Sequence, residues 1–123
     1  MSGFNDILSS SEATKHCMAR GKALVAVESL VNSVIALDKE AIKPRLFKQT
    51  EDSFKSRHEA LLKAHDQLIN HILQRNPDLI TDKDYIAFQH ELDEKILSWT
   101  EVFADINDLI EKKLEPAVVK DTW

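Results

Sequence analysis

The sequence predicts an all-α fold, an antiparallel up-down-up bundle of three long helices, and three observations carry that prediction. Only two glycines and three prolines interrupt 123 residues, too few turn formers for an all-β or α/β chain. Apolar side chains recur at steps of three and four in three separate stretches, the period of helices buried along one side. The connections between those stretches are short, which sets neighbouring helices antiparallel. At 43% apolar and 30% charged residues, the chain is expected to be one domain over 1–123, too apolar for disorder.

Residues 1–10 are expected as a flexible end, in which Phe4, Ile7 and Leu8 can form one short helical turn against the bundle. Ser9, Ser10 and Ser11 offer N-cap side chains and Glu12 suits a first helical turn. The first helix is expected over residues 11–40. Ala23, Val27, Leu30, Val34 and Leu37 form a coiled coil-like seam, with Leu24, Val31 and Ile35 beside it. An apolar second side of this helix would make a homodimer. Its valines are weak helix formers, so packing must hold it. Gly21 costs about 1 kcal/mol against alanine there, and close approach of a neighbouring helix is the expected reason.

Pro44 biases Lys43 away from helical angles and breaks the chain. The second helix is expected over residues 46–76, with a stripe of Phe47, Phe54, His58, Leu61, His65, Leu68 and Ile72. Asn76 and Pro77 supply its stop. The run Thr81-Asp82-Lys83-Asp84 resembles a capping box with Asp84 in the glutamate position. The third helix is expected over residues 82–115, carrying Tyr85, Phe88, Leu92, Ile96, Trp99, Phe103, Ile106, Ile110 and Leu114 on its stripe. Pro116 is its expected end. Residues 117–123 are expected as a flexible tail, and Trp123 in such a tail suggests a chain cut from a longer one.

The net charge of −5 is unevenly placed, because residues 81–115 hold ten carboxylates against four lysines. Glu94, Glu101, Asp105 and Asp108 avoid the apolar stripe and form a candidate face for a protein partner. No basic footprint for nucleic acid is present. The longest apolar run, residues 23–27, is far short of a membrane span. A single cysteine, Cys17, excludes an internal disulfide or a cysteine-rich zinc site, and residues 1–11 lack a signal-peptide pattern. The expectation is a soluble, cytoplasmic, acidic protein.

His58 and His65 sit on one apolar stripe, seven residues and roughly 10 Å apart, too far to share one metal ion. No Glu-x-x-His or HExxH spacing supplies a further ligand. They read as packed core histidines and as pH-sensitive positions, since half-buried imidazoles favour the neutral form. His16 beside Cys17 points about 100° away and makes no catalytic pair. Two glycines cannot build a phosphate loop, and carboxylates in water do not make a catalytic dyad. No catalytic residue, metal site or cofactor is expected, and no enzyme.

Arg20-Gly21-Lys22, then Arg45-Leu46, then Phe54-x-x-x-His58-x-x-Leu61, then Tyr85 before an acidic helix, form a series over about residues 15 to 112. In this series the chain resembles the N-terminal helical region of Gag-like polyproteins of BEL/Pao-type LTR retrotransposons. The resemblance implies a structural, self-associating part of a particle precursor with no catalytic residues. Three functional readings therefore stand. One is a non-enzymatic helical module for protein interaction or assembly. The second is the Gag-like self-association module, and the third is a binder of a small ligand or metal in the bundle interior.

Overall fold

A computed structural model describes residues 3–121, with side chains through residue 112. The chain forms α1 (Phe4–Leu8), α2 (Ser11–Ile35), α3 (Pro44–Arg75), a 3₁₀ turn (Pro77–Thr81) and α4 (Lys83–Asp121), with no strand among the described residues. Contacts such as Arg20 with His65 and Arg57 with Ala26 run α2 against α3 in opposite directions. Contacts of Phe54 with Phe103 and Glu51 with Asn107 do the same for α3 and α4. The three long helices thus form the expected all-α bundle. No described helix is long and apolar enough to cross a membrane.

Local chemistry explains where the boundaries differ from expectation. α2 stops at Ile35 rather than residue 40. Leu37 N–H closes back on Val34 O at 3.1 Å, and the Asp38 carboxylate takes Glu40 N–H at 3.0 Å, a side-chain turn that competes with the helical ladder. Ile35 and Leu37 are consequently exposed. α3 starts at Pro44, two residues before the expected 46, because proline suits the first helical position, where no N–H is needed. Lys43 is extended, as a residue before proline should be. Asp82, not Thr81, caps α4. Its carboxylate accepts Asp84 N–H at 3.0 Å and Tyr85 N–H at 3.2 Å, while Thr81 Oγ1 turns back to Asp78 O. α4 continues through Pro116 to Asp121 instead of ending near 115. A proline removes one rung of the ladder there, and strong helix formers such as Lys113, Leu114 and Ala117 flank it. The stripe position Leu114 and the tail residue Trp123 lie outside the described side chains.

The N-terminal turn, placed by the sequence in a flexible end, is a packed element. Ser10 joins it to α2: its hydroxyl donates to Ile7 O at 2.6 Å and accepts Ala13 N–H at 3.4 Å. Phe4 and Ile7 are buried, and the Phe4 ring stands edge-on to Tyr85 and 5.3 Å from Phe88. Burying two large apolar side chains gains roughly 3–6 kcal/mol, enough to offset the fraying of five residues' ends.

The interior has two apolar parts. Val27, Val31, Val34, Phe47, Phe54, Leu61, Leu92, Trp99, Phe103 and Ile106 fill one. Phe4, Ile7, Ala13, Leu68, Ile69, Ile72, Leu79 and Tyr85 fill the other. α2 lies close to α3 along its length, whereas α4 meets them through large rings, with Phe103 4.4 Å from Phe54 and 5.6 Å from Phe47. Gly21 is not at a close approach. A Cβ built there would meet nothing within 4 Å, so the expected packing reason for that glycine is corrected.

Candidate functional site

Between the two apolar parts lies a polar layer to which α2 and α3 each give one residue and α4 gives two. Arg20 falls two turns before Val27 on the buried side of α2. His65 follows Leu61 by four on α3, and Gln89 lies between Tyr85 and Leu92 on α4. Arg20 Nε donates to His65 Nδ1 at 3.0 Å. Guanidinium has no acceptor, so Nδ1 must be unprotonated and the proton of neutral His65 resides on Nε2. That Nε2–H donates to Gln89 Oε1 at 2.5 Å, and Gln89 Nε2 donates to Tyr85 OH at 3.2 Å. The four residues form one chain of hydrogen bonds running in a single direction. The Phe88 ring completes it, with the Arg20 guanidinium 4.4 Å from its centre and the His65 ring stacked 5.6 Å away.

Burial pushes His65 below the ordinary histidine pKa, and the Arg20 charge adds to that lowering. The bond to Gln89 and the charges of Asp66 and Asp93 oppose it. Both ring nitrogens are already bonded, which leaves neither free to take a proton from another molecule. Cys17 Sγ lies 3.6 Å from Leu8 O. Burial raises its thiol pKa, with Arg20 opposing, and a thiol held protonated is a poor nucleophile. The layer links α2, α3 and α4 by one chain of side-chain hydrogen bonds.

His58 and His65, paired by the sequence, separate here. His65 is in the polar layer, whereas His58 is half-buried and stacked on Phe54 at 5.5 Å, its Nε2 shielded from solvent without a hydrogen-bond partner. Among the described residues no three His, Cys, Asp or Glu side chains gather as a metal site. The acidic residues Glu94, Glu101, Asp105 and Asp108 are all exposed on α4. At 100° per residue they fall within a sector of about 60°, opposite the buried Tyr85, Leu92 and Phe103. Glu94 holds His90 at 2.9 Å.

The outward side of α2 has a different character. Ser11, Thr14, Met18, Val25, Ser29, Asn32 and Ala36 recur there at steps that keep them on one face, with Lys15, Lys22 and Glu28 as the charges on and beside it. Met18 and Val25 are 58% and 65% exposed. Sequence reading missed Arg20 and Gln89 as partners of His65, and Tyr85 as the partner of Gln89. The sequence carries no signal for Arg20 and Gln89, because neither is one of the apolar stripe positions and their common level depends on the register between helices. No family model, curated protein or solved structure matches the chain.

Proposed function

We propose that the protein is a non-enzymatic helical module that works by protein–protein contact, with self-association through the outward face of α2 as its principal mode. The supporting observation is the composition of that face. Exposed Met18 and Val25 stand there among short side chains such as Ser11, Thr14, Ser29 and Ala36, with the charged Lys15, Lys22 and Glu28 bordering them, so another helix can approach. Twenty-five residues span about 37 Å, and a face about 10 Å wide therefore covers on the order of 400 Å² per partner. A stable interface needs about 800 Å². The contact is therefore a weak pairing of two copies through one shared face, and self-association is also what the Gag-like resemblance implies. The acidic face of α4 is a second surface, suited to a basic protein partner. A soluble, cytoplasmic setting is part of this reading.

Sedimentation of the full chain should give a mean mass that rises with concentration, and Met18→Glu with Val25→Glu should abolish the rise at unchanged helicity. A strict monomer up to millimolar concentration would sink self-association. Charge reversal at Glu94, Glu101 and Asp105 should leave folding intact and weaken capture of a basic partner. Recovery of the same partners by that variant would remove the acidic face from the proposal.

A further inference from the structure

We propose that His16 and His71 form a binding site for a divalent transition-metal ion, Zn²⁺ or Cu²⁺, bridging α2 and α3. His16 on α2 and His71 on α3 face each other with ring centres 5.0 Å apart and planes inclined by 37°. Two imidazoles bound to one tetrahedral ion at about 2.0 Å per bond have ring centres about 5 Å apart, a separation the pair matches before any rotation of the rings that brings one nitrogen of each onto the ion. His71 Nε2 is withdrawn from solvent and has no hydrogen-bond partner, a state that buried polar nitrogens rarely keep.

The helices around the pair are fixed. One turn away on one side, Glu12 of α2 forms an ion pair with Arg75 of α3. On the other side, one turn along α2 and nearly two along α3, Arg20 bonds His65. The apolar packing of Ala13 with Leu68 and Ile72 holds the two backbones beside the pair, so ligation needs adjustment of the imidazole side chains, the preorganisation that metal sites depend on. The groove beside the rings is walled by Gln67, Asn70 and Gln74 and by one cation, Lys15. Two imidazoles select Zn²⁺, Cu²⁺ or Ni²⁺ over Mg²⁺ or Ca²⁺, with water completing the coordination. Glu12 is engaged by Arg75, and Lys15 repels the ion, which together set a modest affinity. The pair was not legible in the sequence, because His16 and His71 lie on different helices far apart in the chain and neither has a ligand three or four residues away that is not already used.

The test is calorimetric titration of the full chain with ZnCl₂ at pH 7.5, beside His16→Ala, His71→Ala and His90→Ala. One equivalent should bind. Each of the first two substitutions should weaken binding by no less than the roughly tenfold that loss of a supporting group alone costs. His90→Ala, which removes the exposed pair with Glu94, should change nothing. Binding should fall on acidification, because the ligating imidazoles must be neutral. Electron paramagnetic resonance of the parent with one equivalent of Cu²⁺ should show two equivalent nitrogen ligands, a readout independent of whether the alanine variants fold. No binding, binding untouched by His16→Ala and His71→Ala, or a copper spectrum with fewer than two nitrogens would overturn the proposal.

Discussion

At the scale of single residues, His65 has the clearest consequence for behaviour. Its two hydrogen bonds fix it as a neutral imidazole, and a proton added at Nδ1 would face the Arg20 Nε–H that now donates there. Burial first, then the Arg20 charge, lower its pKa in the fold, against Gln89, Asp66 and Asp93. The unfolded chain therefore binds a proton at a pH where the folded chain does not. The contribution of His65 to stability is complete above the unfolded value of about 6.5 and is lost as pH falls from there through the lowered folded value. The loss proceeds at up to about 1.4 kcal/mol per pH unit. Urea midpoints should drop between pH 7.5 and pH 5, and His65→Gln should flatten that drop. An equal drop in the variant would show that His65 is not the responsible group.

At the scale of elements, α2 contains a defect that the structure makes correctable. Gly21 sits in its interior with negative φ, and a Cβ there would touch nothing. Gly21→Ala should stabilise the protein by about 1 kcal/mol, read as an unfolding temperature raised by about 3–5 °C for a domain of this size. An unchanged temperature would mean that the glycine serves something outside the folded monomer. The helix itself was legible in the sequence, because the buried Val27, Val31 and Val34 obey a strict period. The buried stripes of α3 and α4 were legible for the same reason. Boundaries were less so: Asp38 and Asp82 each use a short carboxylate to take a backbone N–H, and several neighbouring residues could have done so equally well. Within the polar layer only His65 was legible. Arg20 and Gln89 look like ordinary surface residues until the register between helices is known, and that register depends on contacts 45 and 24 residues apart in the chain.

At the scale of the whole molecule, the polar layer sits where the two apolar parts of the core meet, and its worth lies in uniqueness more than in stability. Apolar stripes slide past one another at small cost, because one leucine or valine fits a neighbouring hole nearly as well as its own. A buried hydrogen-bonded chain does not slide, since any shift by a turn leaves a guanidinium and an imidazole without partners. Arg20, His65 and Gln89 thus set the levels of α2, α3 and α4 together. Removing one member should be costly: Gln89→Leu strands His65 Nε2–H in a buried site and should destabilise by about 1–3 kcal/mol. Replacing all three by leucine should cost less than that single change or even stabilise, because nothing polar is left unpaired. The triple variant should nevertheless lose the sharp, dispersed amide spectrum of a single packing. A triple variant that is less stable than Gln89→Leu, with its spectrum intact, would reverse this argument and make the layer a source of folding free energy.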